Sequence, residues 1–171
     1  MLHTPRLSST QVALMEERHR ALLALCLELD EVATDFARSI VPAAVMSVAA
    51  RLEPLVEAAH QLEEETLYPT LEEQAGSCFS SLMIAQIKAE HSVDRKAAYE
   101  LKLTLGAVAD GRCRLSLDMV ARMTRRFLEY LQRHVAAEQI LLDNLVAATG
   151  GPDPDTATPA RLKSSLPPAG P

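Results

Sequence analysis

Tryptophan is absent from this chain of 171 residues, and Phe and Tyr number only three each. Any core must therefore be built from aliphatic side chains. Glycine does not occur before Gly76, so the first half of the chain lacks the residue that most readily interrupts a helix. The three cysteines, Cys26, Cys78 and Cys113, are far apart and odd in number, with no CxxC pair. Neither a zinc knuckle nor a disulfide framework is expected, and they read as small core residues of a cytoplasmic protein. No segment approaches the ~20 apolar residues that a membrane span requires. The opening "MLHTPRLSS" has no long apolar run, so a secretory signal is not expected either. Excess positive charge is also missing: 17 Lys and Arg face 23 Asp and Glu, for a net charge of −6. That balance gives no general pull toward nucleic acid or an anionic membrane.

What is present favours helix. Ser8 and Gln11 have the spacing of a capping box, and apolar residues then recur at Val12, Met15, Leu22, Cys26, Leu29, Ala33 and Phe36. Pro42 opens a second helical region reaching about Glu73, in which Pro54 marks either a kink or a fresh start. Gly76 is the expected turn, with Ser77 as cap of a third helix to about Leu105. A fourth helix is expected over about 112–149, with Asp110 as a candidate cap, and Gly150-Gly151-Pro152 stops it. Four amphipathic helices with short connections predict an all-α, antiparallel up-and-down four-helix bundle. Residues 1–150 form one domain in this reading. Residues 151–171, rich in proline, read as a flexible tail.

Five histidines punctuate the chain. His3 lies in the N-terminal segment and carries no expected role, but His19, His60, His91 and His134 fall one per helix. Around the turn at Gly76, His60 and His91 differ in height by only about 2 Å at ~1.5 Å rise per residue. The other pairs are offset by roughly one turn, so all four suit one layer of the bundle. Each sits in an apolar stripe: Val56, His60, Glu64, Leu67, Leu71 in the second helix, and Phe127, Leu131, His134, Glu138, Leu141 in the fourth. "HQLEE" and "HVAAE" both place a glutamate four residues after a histidine. A buried glutamate without a partner is costly, whereas imidazole and carboxylate together are natural ligands of a metal cation. The expected site is a pair of metal ions held by His19, His60, Glu64, His91, His134 and Glu138. In this arrangement each ion takes two histidines and the two glutamates bridge.

With those residues in place, the sequence resembles the hemerythrin-like, or HHE cation-binding, family over about Val12 to Thr149. The resemblance rests on "EERH", "HQLEEETLYPTLEE", "KAEH" and "HVAAEQILL" in that order. It implies a non-haem di-iron centre, two iron ions bridged by an oxo or hydroxo group and by carboxylates. It also implies a small diatomic partner, oxygen or nitric oxide, or a part in iron handling. The chain departs from the oxygen-carrier pattern at Ile87, where that pattern has a histidine, and at Gln139, where it has an aspartate. Glu138 substitutes for that aspartate, whereas the missing histidine leaves fewer nitrogen ligands and an open position, which works against a long-lived oxygen complex. Glu63, Glu65 and Glu90 are the nearby acidic groups available to complete the sphere.

Three functional classes compete on the sequence alone. The first is a di-iron protein for gas binding, sensing, storage or stress protection, and it is preferred because no substrate pocket or organic-cofactor motif is apparent. The second is a di-iron oxidase or peroxidase. The third is a metal-free interaction bundle whose histidines are satisfied core residues. Tyr68, Tyr99 and Tyr130 read as amphipathic aromatics at the surface edge.

Overall fold

The computed structural model describes residues 6–75, 78–148 and 150–151, with no side-chain description for residues 75, 78–80 and 83. The expected turn at Gly76, the cap at Ser77, His3 and the tail from Pro152 onward lie outside the described residues. Helix α1 spans Ser9–Asp35, α2 Pro42–Leu62, α3 Tyr68–Ala75, α4 Cys78–Ala109 and α5 Leu117–Ala148, and a π-helical turn over Glu63–Leu67 joins α2 to α3. The α2–α3 unit acts as one long helix, so the architecture is a four-helix bundle. Around it α1 packs on α2 and α5, α2 packs on α4, and α4 closes against α5 along the sparsest of the four seams.

Local chemistry sets most of the boundaries. Ser8 caps α1 with the expected reciprocal pair: the Gln11 N–H donates to Ser8 Oγ at 3.2 Å, and the Ser8 N–H donates to Gln11 Oε1 at 2.9 Å. Pro54 does not restart α2, which runs unbroken over Pro42–Leu62. It and Ala50, whose carbonyl loses its N–H donor, both lie on the exposed face, where water satisfies the freed acceptor. Helix α4 ends on Gly111 at φ 66°. The Gly111 N–H returns to Val108 O at 3.0 Å and the Arg112 N–H to Ala107 O at 2.8 Å, the paired bonds of a Schellman stop. That closure consumes the next residues, so α5 begins at Leu117, five residues later than expected. Ser116, not Asp110, caps it, accepting from the Met119 N–H at 3.2 Å.

Two apolar cores fill the bundle. The larger contains Leu22, Leu25, Leu29, Leu52, Val56, Leu105, Phe127 and Leu131. The smaller contains Met15, Leu67, Tyr68, Ile84, Leu142 and Leu145. At the border between them lie the buried polar residues His19, His60, Glu63, His91, His134 and Glu138. The bundle is thus two dry compartments separated by one polar layer. Surface pairs such as Lys102–Glu53 at 2.6 Å add little, about 0–1 kcal/mol each.

Leu52 is fully buried, whereas Leu27 is 66 % exposed. Leu52→Ala is therefore expected to destabilise the fold by about 2–5 kcal/mol, and Leu27→Ala by no more than about 0.5 kcal/mol. Urea unfolding checks this: the midpoint falls for the first variant only, with an unchanged slope.

Candidate metal centre

The π turn decides which side chains enter the polar layer. Its defining bond runs from the Tyr68 N–H to Glu63 O, five residues back, so the turn absorbs one extra residue. Past it, each residue takes the angular place that its predecessor would hold in an uninterrupted helix. Tyr68 thereby rotates inward and is fully buried, in contrast to its expected place at the surface edge. Tyr99 and Tyr130 do lie at the surface.

The same turn separates the two neighbouring glutamates. The expectation placed Glu64 in the interior, but the structure places Glu63 there. Glu63 is 2 % exposed and points toward α1, with Oε1 3.0 Å from His19 Nε2. Glu64, its side chain 32 % exposed, turns toward α4, where Arg95 Nη1 donates to its Oε1 at 2.9 Å. That guanidinium holds the Glu64 carboxylate at the rim. Positions three and four after a histidine both lie near one helix face, so spacing alone did not choose between them.

The remaining five expected residues converge. His60 stacks on His91 with ring centroids 3.8 Å apart and planes within 1°. His134 is tilted against both, its centroid 5.3 Å from that of His60 and 4.8 Å from that of His91. Nε2 of His91 and Nε2 of His134 are 3.0 Å apart. Glu138 Oε1 lies 3.2 Å from His91 Nε2, and Glu138 Oε2 3.2 Å from His134 Nε2. The Tyr68 hydroxyl donates to Glu138 Oε1 and stands 2.8 Å from His91 Nε2.

Two ligand sets emerge. His60, Glu63, His91 and His134 each offer an atom within 4.8 Å of all the others, and so do His19, Glu63 and Glu138. Glu63 belongs to both. The division is three histidines against one, where two and two were expected. The reason is that α2, α4 and α5 bring their imidazoles together, while His19 on α1 meets only the carboxylates.

An outer ring of acceptors orients the imidazoles. His91 Nδ1 lies 2.8 Å from Glu64 Oε1, His134 Nδ1 3.7 Å from Asp94 Oδ2, and His19 Nδ1 3.0 Å from Gln139 Oε1. Gln139 Nε2 in turn donates to Asp143 Oδ1 at 2.8 Å. A carboxylate accepts only, so the Gln139 amide must turn its oxygen to His19, and His19 Nδ1 must carry a hydrogen. Each of the three rings then directs Nε2 inward, the arrangement that outer carboxylates and amides impose on metal-binding histidines. The His19 Nε2 lone pair faces a carboxylate oxygen, a contact that is favourable only with a positive centre between them, a proton or a metal ion.

The electrostatics agree. Burial, followed by the charges of His91 and His134, pushes the pKa of His60 down to about 2, so its imidazole is neutral and free to ligate. Burial raises Glu63, and the nearby Glu138 charge raises it further against the bond to His19. Burial works in the same direction on Glu138, but the bonds from His134, His91 and Tyr68 hold it well below the ordinary carboxylate range. His19 and His134 are lowered by burial and raised further by their bonds to Glu63 and Gln139 and to Glu138, so both finish above the ordinary value. Both ring nitrogens of His60, together with Glu63 Oε2 and Glu138 Oε2, are buried with no hydrogen-bond partner among the described residues. Each such group costs about 1–3 kcal/mol when left unsatisfied, and a cation bound between the ligand sets satisfies one nitrogen of His60 together with the two carboxylate oxygens. The donor set, nitrogen-rich on one side and oxygen-rich on the other, fits first-row transition metals.

The scan against family models returns the description "Hemerythrin HHE cation binding domain" over residues 10–146. The chain belongs to the hemerythrin HHE cation-binding family. No curated protein and no solved structure gives a match. This hemerythrin-family chain therefore carries two clustered His/Glu sets able to hold a two-metal centre, in a four-helix bundle of the family's type.

At the family's two departure points, Ile87 is half-buried and lines a groove of about 380 Å³ between α4 and α5 that ends on His134 and Glu138. Gln139 serves as the acceptor for His19. Glu65 and Glu90 are exposed, each bonded to a glutamine of its own helix, and neither joins the centre.

The geometry predicts that Glu63→Gln loses at least half of the bound metal. Glu64→Gln keeps the stoichiometry and weakens affinity about 10–100-fold through His91. Metal analysis with chelator competition separates the two; an equal loss of stoichiometry in both variants contradicts the assignment.

Proposed function

We propose that this protein is a non-haem di-iron protein that binds a diatomic ligand, oxygen or nitric oxide, or handles iron, in a sensing, storage or protective role. One observation carries the reading: two ligand sets share Glu63 in a dry layer, and the buried nitrogens of His60 have no other partner. His19, His60, His91, His134, Glu63 and Glu138 are the proposed ligands, with Glu63 between the two ions and Glu64 supporting His91 from outside. Iron, when bound, supplies redox-active positions with fewer nitrogen ligands on the His19 side, and hence open positions there.

The chain's own residues prepare that place for a small ligand. Met15, Leu67, Ile84 and Leu142 wall one side of the layer, excluding water from it. Tyr68 offers a hydroxyl donor inside the centre, anchored on Glu138. Burial, with the charges of Glu138, Glu63 and Glu64, holds its pKa far above the ordinary tyrosine range, so it remains a hydrogen-bond donor. Glu64, Asp94 and Gln139 fix the ring orientations, so the inward nitrogens need little rearrangement when a metal binds.

A second reading, a di-iron oxidase acting on a small organic molecule, draws on the groove between α4 and α5. Tyr130 and Arg133 stand at its edge, and it reaches His134 and Glu138.

Anaerobic iron loading followed by optical and Mössbauer spectra, before and after oxygen or nitric oxide, tests the proposal. Two irons per chain and a gas-dependent spectral change are expected; absence of stoichiometric iron overturns it. Tyr68→Phe removes the hydrogen bond that positions Glu138 and is expected to weaken iron affinity about five- to tenfold, the loss of roughly one hydrogen bond, and chelator competition measures it.

A further inference from the structure

The outer face formed by α4 and α5 has features that the metal centre does not use. The groove that ends on His134 continues into a second of about 350 Å³, the two sharing Val93, Asp94 and Tyr130. Its centre is apolar, yet Val93 is 66 % and Tyr130 49 % exposed, with Met123 also open. A continuous apolar strip of this kind marks an interaction surface.

The charges on its two sides are opposite and idle. On the α5 side, the guanidinium groups of Arg126 and Arg133 lie over the Tyr130 ring, 5.9 and 4.8 Å from its centroid. Neither makes an ion pair among the described residues. On the α4 side, among the described residues, Glu90 accepts from Gln86 and makes no ion pair, and Glu100 makes one long contact of 3.9 Å with Lys96. Glu90 lines the same groove as Arg133, and Glu100 the same groove as Arg126, so each acid stands at the height of one arginine.

We propose that this face joins two copies of the chain about a two-fold axis parallel to the helices. That operation preserves height and exchanges left for right, so α4 of each copy lies on α5 of the other. Glu90 then meets the partner's Arg133, and Glu100 the partner's Arg126, giving four ion pairs around an apolar centre. A two-fold axis perpendicular to the helices would set α4 on α4 and oppose like charges. The size is adequate: α4 and α5 have 32 residues each. At ~1.5 Å per residue and a width of roughly 20 Å for two helices, the face offers roughly 900 Å², against ~800 Å² per partner in a stable complex. The second copy also roofs the groove above His134 and Glu138, which narrows what can reach the centre to small molecules.

Sedimentation velocity on the full chain tests this without reference to metal. The wild-type protein is expected at twice the 18.6 kDa chain mass. Arg126→Glu with Arg133→Glu leaves the groove edges acidic, and Glu90→Arg with Glu100→Arg makes them basic apart from Asp94. Each double variant alone is expected as a monomer with an unchanged helical circular dichroism spectrum, and an equimolar mixture of the two is expected to restore the dimer, weakened by salt. Val93→Glu is a separate single-site variant and is also expected to be monomeric. A monomeric wild type, a dimer that survives both charge variants, or a mixture that stays monomeric overturns the proposal.

Discussion

Two carboxylates and four imidazoles buried in one layer between apolar compartments are the constraint around which this bundle is organised. Burial of that many polar groups opposes folding unless each finds a partner, and within the chain some do not. Glu63 stays in the layer against the cost of its own burial and the charge of Glu138. His60 is neutral with both nitrogens unpartnered. A centre bearing positive charge, shared between two ligand sets through Glu63, resolves these conflicts together. The same constraint explains why the walls on either side are apolar and why one buried histidine recurs on each helix of the bundle.

The support for that layer comes from a ring of groups that never enter it. Glu64, Asp94 and Gln139 each face the outward nitrogen of one histidine, and Arg95 and Asp143 hold two of those groups in place. The ring is uneven: carboxylates stand behind His91 and His134, and a neutral amide stands behind His19. An imidazole backed by a carboxylate is the more basic ligand, so the three-histidine position is the stronger of the two. The His19 set, with its two carboxylates and single imidazole, is the poorer of the two in nitrogen donors. Asymmetry between the two positions is thus built by residues on all four helices.

Much of this was legible in the sequence. The capping box at Ser8, the stop at Gly150, the one-per-helix histidines and their stripes follow from short-range chemistry and helical period, and they fix the bundle and five of the six inward groups. Three features were not legible. The π turn at Glu63–Leu67 shifts the register by one residue and turns Tyr68 inward, and Glu63, at the start of that turn and three residues after His60, holds the interior place expected for Glu64. An aromatic shortly after an acidic run, in EEETLY, was the available signal, but a strict 3.6-residue period hides it. The start of α5 at Leu117 depends on how many residues the Gly111 closure consumes. The three-to-one division of histidines depends on which helices face each other, a tertiary fact that helix heights do not contain.

Crystallographic anomalous scattering at the iron edge, on full-length protein loaded with iron under anaerobic conditions, addresses the central claim most directly. The account predicts two peaks roughly 3.5–4 Å apart, one against His60, His91 and His134, the other against His19 and Glu138, with the Glu63 carboxylate between them. A single peak, or two peaks bridged by Glu64 with Glu63 turned to solvent, would contradict it.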